Sequence, residues 1–249
     1  MIHDYEFIDR KYAYAYPRAA STADAVVFRF DGERLYLLLI RRRNEPYRDC
    51  WAFPGGFMEM EETIDACCLR ELEEETHITG PYIKQIGTFT AVSRDPRGRV
   101  VSTAFYALVR PDIAARADDD ASELQWYPID TRLTADRLKE SLPELAFDHM
   151  HILRVALQRL REDIHFRPIA YQLLPPTFTL PQLQRLYELL LQIHVPDRRN
   201  FRRDLLASGI IVPTGEKEVS HIHRCGNLYR FDEAAYVRFK KADPFAFEF

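Results

Sequence analysis

"GGFMEMEETIDACCLRELEEETHI", residues 55–78, sets two glycines ahead of a segment that places glutamates at 71, 74 and 75. Thr63 can cap a helix here, because its hydroxyl can accept a bond from a free backbone N–H two or three residues on. At roughly 100° per residue, Glu71, Glu74 and Glu75 fall within an arc of about 100°. Ala66, Leu69 and Leu72 fall on roughly the opposite side and are expected to pack while the carboxylates are presented. A solvated acidic face is the ordinary reading of three such glutamates. The Glu71/Glu75 pair repels at i,i+4, however, and no Lys or Arg stands four residues beyond any of the three. A bound divalent cation resolves that repulsion. Clustered hard oxygen ligands suit Mg²⁺ or Mn²⁺, and Mg²⁺ keeps waters of its own and bridges to substrate phosphates.

The segments around this helix are strands. "AVVFRF" (25–30) and "RLYLLLI" (34–40) are β-rich runs separated by Asp31-Gly32, a pair that tolerates the positive φ of a hairpin turn. "YIKQIGTFTAV" and "VVSTAFYALV" form a second such pair across the polar "SRDPRGR", and "ELQWYPI" (123–129) is one more short strand. A helix interposed among strands predicts a mixed α/β domain. "ELAFDHMHILRVALQRLRED" (144–163) has helical spacing, with Ile152, Val155, Ala156 and Leu160 apolar, and is expected to close that domain.

With 249 residues and 47% hydrophobic content the chain can bury a sizeable core, and its length suits two domains. Its longest aliphatic runs, such as "LYLLLI", are far too short to cross a bilayer. No export signal is read in the N-terminus, so a cytoplasmic setting and no membrane partner are expected. Cys50, Cys67, Cys68 and Cys225 show neither a disulfide framework nor zinc-finger spacing, and reduced thiols are expected. The net charge of −4 conceals an asymmetry. Residues 165–249 hold 12 Lys and Arg against 9 Asp and Glu, which leaves 22 against 29 for residues 1–164. An acidic front and a mildly basic back point to two roles.

The opening stretch resembles the Nudix box, G-x5-E-x7-R-E-U-x-E-E-x-G-U with U aliphatic. Gly56, Glu62, Arg70, Glu71, Leu72, Glu74, Glu75 and Ile78 match eight of its nine specified positions. The resemblance implies that the Gly55 carbonyl, Glu71, Glu74 and Glu75 hold the metal and that Glu71 also helps to activate water. Arg70 would orient the carboxylates and Glu62 support the loop, so Glu71, Arg70 and Glu75 form the implied catalytic set. His77 stands where the family has glycine; histidine enters the left-handed region more readily than a β-branched residue, so a slightly altered helix exit with intact ligands is expected.

"NEPYRDCWAFPGGF" and "SRDPRGRVVSTAFYALV" are similar to the branch containing ADP-ribose pyrophosphatases and the Nudix-related transcriptional regulators of NAD metabolism. That similarity places Arg94, Asp95, Arg97 and Arg99 near a phosphorylated ligand, with Arg42 a weaker candidate; without it, the segment reads as a charged turn in solvent. Asp118, Asp119, Asp120 or Glu123 could add an acid to the metal site, although a solvated loop is the simpler reading.

In the back half, "FTLPQLQRLYELLLQI" begins at a Thr179 cap with Pro181 in the first turn and Leu183, Leu186, Tyr187 and Leu190 at helical intervals. "DRRNFRRDLLASG" follows, capped by Asp197 and closed by Gly209, with Arg198, Arg199, Arg202 and Arg203 opposite Phe201, Leu205 and Leu206. "IIVPT" and "NLYRF" complete a helix-turn-helix with a β-hairpin wing, whose Lys217 and Arg224 would touch phosphate while the arginine helix enters the major groove. A solvated surface or a domain interface is the alternative for that helix.

The order of parts matches the regulator branch over the whole chain. It implies an α/β fold: an N-terminal α/β/α sandwich with a mixed sheet, then a C-terminal winged helix-turn-helix domain. The expected divisions are 1–145 for the Nudix domain, 146–168 for a linker helix and connector, and 169–249 for a winged helix binding double-stranded DNA. A balance of only +3 in the back half implies a homodimer that combines two sets of contacts. The leading expectation is a Mg²⁺-dependent hydrolase that cleaves ADP-ribose or a related ADP-sugar to AMP and sugar phosphate, fused to a DNA-binding domain. The alternative is a transcriptional regulator whose Nudix domain senses a nucleotide or sugar without significant turnover.

Overall fold

The computed structural model describes residues 16–116, 121–132, 135–192, 198–218 and 226–242, with the backbone alone for 121, 122, 135, 136, 198 and 239–242. Asp118 to Asp120, the Asp197 cap, Arg224 and Cys225 lie outside the described residues.

Strand β1 (Ala20–Phe30) is buried along nearly its whole length, as a continuous apolar run between two covered faces requires. It turns into β2 (Leu35–Arg42) through Asp31-Gly32, where Gly32 has φ +106°. The Asp31 carboxylate accepts the backbone N–H of Glu33 and of Arg34 at 2.8 Å each, which closes the turn. Strand β3 (Trp51–Ala52) precedes the double glycine, which opens β4 (Gly55–Phe57), and helix α1 (Ile64–Thr76) follows. Strands β5 (Tyr82–Phe89) and β6 (Val100–Val109) form an antiparallel pair, β6 runs parallel to β1, and β7 (Ala121–Ile129) pairs with the outer side of β2. The result is a seven-stranded mixed sheet. Helix α2 (Ala135–Ser141) and helix α3 (His149–Phe166) follow it.

The strand period of two divides the core. Ala23, Ala25, Val27, Phe105 and Ala107 pack against α1, whereas Val26, Phe28, Leu37, Leu39 and Tyr106 belong to the cluster that contains Ile152, Leu153, Ala156 and Leu160 of α3. One helix on each face gives the expected α/β/α sandwich. The buried stripe of α1 is not the one expected, however: Cys67, Cys68, Leu72 and Thr76 are buried, while Ala66 and Leu69 face solvent. Small cysteines over Ala23 and Ala25 let the helix lie close to the sheet, which turns Leu69 outward. The α3 helix starts later than its apolar pattern suggests, because Phe147 takes φ +53° and Asp148 occupies the N-cap position.

A 3₁₀ turn (Ile169–Leu173) and the short strand β8 (Phe178–Thr179) lead into α4 (Leu180–Leu191). Thr179 and Gln182 form a reciprocal capping box at its start, with the Thr179 N–H donating to Gln182 Oε1 at 2.8 Å. Helix α5 (Arg198–Ala207) and the hairpin of β9 (Ile211–Lys217) and β10 (Asn227–Phe231) make the winged helix. Strand β8 adds to its sheet, and a helix not anticipated from sequence, α6 (Glu233–Ala242), follows.

The two parts share one apolar cluster, which runs from the α3 face of the first sheet through Ile164, Ile169 and Leu173 to Leu183, Leu186, Phe201 and Leu205. Tyr171 stacks on Phe231 at 3.6 Å and 7°. Buried Thr131, beyond β7, donates its hydroxyl to the Leu189 carbonyl at 2.7 Å, and its own carbonyl accepts from Arg161 of α3 and Gln192 at the end of α4.

Candidate functional site

The double glycine is dictated by close packing. A Cβ on Gly55 would sit 2.2 Å from the Ala23 carbonyl oxygen on β1, and one on Gly56 would sit 2.3 Å from Glu71 Oε1. Any side chain at 56 would therefore expel the Glu71 carboxylate. The loop and α1 are tied again where the Gly55 N–H donates to Glu75 Oε2 at 2.8 Å. Thr63 caps α1 by accepting from the Ala66 N–H at 3.3 Å, and His77 ends it at φ +57°, in the left-handed region.

Relief for the stacked glutamates comes from a cation on their N-terminal side, Arg70, which stands four residues before Glu74. Its Nη1 donates to Glu71 Oε1 and to Glu74 Oε2, each at 2.9 Å. Its Nε and Nη2 fork onto Glu62 at 3.0 and 2.8 Å, and Nη2 also reaches the Phe57 carbonyl at 3.1 Å. Bonds from Arg70 hold the Glu62 carboxyl down to about 2. Burial pushes the Glu71 carboxyl above its ordinary value, with Arg70 opposing. The Arg70 guanidinium is in turn raised by its bonds to Glu62.

These groups border a cleft of about 520 Å³. Gly55, Glu71 and Glu75 line it together with Arg70; Glu74 does not, and its side chain is 59% exposed. Among the described residues no three carboxylate, imidazole or thiol groups converge at a common point, because Arg70 draws Glu71 and Glu74 to itself while Glu75 takes the Gly55 N–H. The donor chemistry still fits a hard divalent cation: oxygen ligands alone, one of them a carboxylate destabilised by burial that a positive charge would relieve.

Arg42, Arg94, Asp95 and Arg97 also line the cleft. Arg94 does so as a clamp: its guanidinium, 4% exposed, binds Asp148 at 2.7 and 3.2 Å and reaches Asp24 at 3.5 Å. Its charge is thus already paired within the protein while its side chain borders the cleft. Arg99 is not in the cleft; it donates to the carbonyls of Thr90 and Ala91 at 2.8 and 3.2 Å and braces its own loop. Arg97 forks onto Asp95 at 2.7 and 3.0 Å, which holds the Asp95 carboxyl below its ordinary range, and its guanidinium lies over Phe57 at 5.0 Å and Phe147 at 5.8 Å. The Arg42 guanidinium lies 4.9 Å from the Phe147 centroid. Burial, and secondarily Arg97, lower its pKa.

Phe57, Phe147, Asp24 and His149 line the cleft without having been singled out in the sequence. Asp24 is buried, accepts from the Ser102 hydroxyl, and lies 3.7 Å from His149 Nε2. The His149 ring stacks on Phe53 at 4.6 Å, its Nδ1 accepts the Phe53 N–H at 3.0 Å, and burial lowers its pKa. "CWAFPGGF" shows an aromatic beside the glycines; Phe147 has no signal beyond being aromatic ahead of a helix.

On α5, Phe201 and Leu205 are buried and Arg199, Asn200 and Arg203 exposed, as the pattern requires. Arg202 is half-buried, and Leu206 is 39% exposed on the solvent side, not packed with Phe201 as expected. Arg203 pairs with the neighbouring Asp204 at 2.9 Å. Lys217 is exposed at the end of β9, the Arg198 side chain is not described, and Arg224 lies outside the described residues. No described helix is long and apolar enough to cross a membrane.

The profile of the NUDIX domain matches residues 19–145, and that of the NrtR DNA-binding winged helix domain matches residues 170–231. Over 218 residues the chain is 34% identical to the ADPR responsive transcriptional repressor NtrR of Acinetobacter baylyi, covering 87% of this chain and 83% of that protein. It is 36% identical over 118 residues to the ADP-ribose pyrophosphatase of Methanocaldococcus jannaschii, which covers 47% of this chain and 63% of that one. The solved structure of Shewanella oneidensis NrtR complexed with a 27mer DNA superposes with a TM-score of 0.72 at 29% identity, covering 87% of this chain and 95% of that chain.

Proposed function

The chain belongs to the Nudix family and carries the winged-helix domain of NrtR regulators, and from that premise we propose that it is a DNA-binding regulator whose Nudix cleft takes ADP-ribose or a related nucleoside diphosphate sugar. The observation that carries this reading is the lining of the cleft. Guanidiniums of Arg42 and Arg97, aromatic rings of Phe57 and Phe147, and the carboxylates of Glu71 and Glu75 border one volume of about 520 Å³, as an anionic ligand with a flat ring would require. The winged helix grips that domain through a shared apolar core, so a ligand with unequal affinity for two arrangements can bias DNA binding. The modest charge of the back half favours a homodimer on DNA, with Arg199, Arg202, Arg203 and Lys217 of each copy facing it. Such a regulator works beside the DNA, in the cytoplasm.

A second reading, in which the cleft also hydrolyses its ligand, is favoured by the complete carboxylate set of Glu71, Glu74 and Glu75 behind Arg70. A bound Mg²⁺ or Mn²⁺ would neutralise a diphosphate and lower the pKa of a coordinated water. The Gly55 carbonyl, Glu71 and Glu75 would hold it, with Glu74 joining on release from Arg70. Glu71, which would stand beside the coordinated water, would be the group to help take its proton, and Arg70 keeps that carboxylate oriented.

One pair of measurements separates the readings. Retardation of an operator fragment, altered by ADP-ribose and weakened in Arg203→Ala, supports the regulator; a fragment whose mobility is the same with and without protein overturns it. Release of AMP from ADP-ribose with Mg²⁺, abolished in Glu75→Gln, adds turnover to that role. Ligand-dependent retardation with no AMP release leaves a sensor.

A further inference from the structure

Phe147 holds a backbone conformation that bulky L residues rarely adopt, with φ at +53°, directly ahead of the Asp148 N-cap of α3. Strain of this kind persists only where the surroundings impose it, and it gathers at ligand sites. Here the surroundings are explicit. The ring of Tyr47, itself at φ +62°, meets Phe147 edge-on at 4.7 Å. The guanidiniums of Arg42 and Arg97 lie 4.9 and 5.8 Å from the Phe147 centroid. Arg97 has Asp95 as counter-ion, but Arg42 donates its Nε only to the Pro46 carbonyl at 2.9 Å, and among the described residues no carboxylate pairs with it. A half-buried cation with no carboxylate in contact among the described residues thus stands beside an aromatic wall that opens on the cleft.

Two ligand chemistries satisfy one half of this arrangement each. A sugar phosphate would neutralise Arg42 and leave the ring against water; an apolar molecule would cover the ring and leave the cation unpaired. A nucleotide supplies both a phosphate and a flat π-system, and stacking tolerates any base because each has a π face.

We propose that Phe147 is the base-reading residue of the cleft, the nucleobase lying on its ring while Arg42 and Arg97 hold the attached phosphate. This deepens the reading of the cleft as a nucleotide site and rests on it. The base is thereby read directly ahead of the N-cap of α3, the helix that joins the sheet to the winged helix.

The test is calorimetric titration of the full chain with AMP and with ribose 5-phosphate, which share a phosphate monoester and differ in the base. The wild type should bind AMP more tightly. Phe147→Leu, which keeps bulk and removes the π face, should weaken AMP about tenfold and leave ribose 5-phosphate unchanged, and Phe147→Tyr should restore AMP. Equal losses for both ligands in Phe147→Leu, AMP affinity unaltered in that variant, or no preference for AMP in the wild type would each overturn the assignment. Titration with ADP-ribose separates this proposal from the one beneath it. Phe147-dependent AMP binding without ADP-ribose binding keeps the base reader and removes the ADP-ribose ligand; ADP-ribose bound equally by wild type and Phe147→Leu does the reverse.

Discussion

Arg70 spreads one positive charge over Glu62, Glu71 and Glu74, and its contacts with Glu62 and Glu71 are partly shielded from water while that with Glu74 is exposed. Arg70→Ala would leave three carboxylates facing one another. Since the arginine side chain is 26% exposed, the loss is discounted from that of a fully buried pair to about 2 kcal/mol, read from urea unfolding. The pH dependence has a definite sign. With its carboxyl held at about 2, Glu62 contributes stability that is present above the ordinary carboxylate range and lost as pH falls toward 2. In Arg70→Ala that contribution vanishes, so the acid limb of stability between the ordinary carboxylate pKa of about 4.3 and the depressed value should flatten. An acid limb unchanged from wild type would show that Arg70 is not what depresses Glu62. The glutamates were legible because a helix converts spacing into direction, whereas Arg70 entered only through the resemblance to the Nudix box. Arg94 was not legible: a charged turn looks solvated in sequence, and only the fold brings Asp24 and Asp148 to its guanidinium. Phe147 was illegible for the same reason, since its neighbours Tyr47, Arg42 and Arg97 are distant in the chain.

Elements with a strong local signal were read in place: the Asp31-Gly32 hairpin, the Thr63-capped helix, and the Thr179 cap that starts α4. Elements set by tertiary packing were not. Strands β3 and β4 have two and three residues, too few for alternation to show, and α1 buries Cys67 and Cys68 where the face opposite the glutamates had pointed to Ala66 and Leu69. The exit of α1 is a case in which the structure answers a departure from the motif. His77 meets the left-handed requirement at φ +57° but carries a Cβ in a region that favours glycine. His77→Gly should therefore stabilise the fold by about 0.5–1 kcal/mol, or raise Tm by about 2–4 °C at most, with ligand binding unchanged. A lower Tm in that variant would mean that the imidazole contributes more than its backbone costs.

At the scale of the whole molecule, a composition-based division at the proline-rich stretch suggests two bodies on a connector, yet the apolar cluster is continuous across it. Residues 146–168 hold α3, with Ile152, Leu153, Ala156, Leu160 and Ile164 buried. Unfolding should accordingly be one transition: tryptophan fluorescence, which reports Trp51 and Trp126 in the first sheet, and far-ultraviolet dichroism, which also reports the later helices, should give coincident curves. Separate midpoints would show that the winged helix melts by itself. The Tyr171–Phe231 stack and the Thr131 carbonyl shared by Arg161 and Gln192 also bear on how such a chain can be recombined. A crossover at Pro175-Pro176, where the sequence most invites one, parts Tyr171 from Phe231 and Arg161 from Gln192. Each parental half would then meet a stranger's surface at the seam. If α5 reads the DNA as proposed, recombinants that exchange DNA specificity while keeping the cleft should be those that swap its exposed side and inherit both sides of the seam from a single parent.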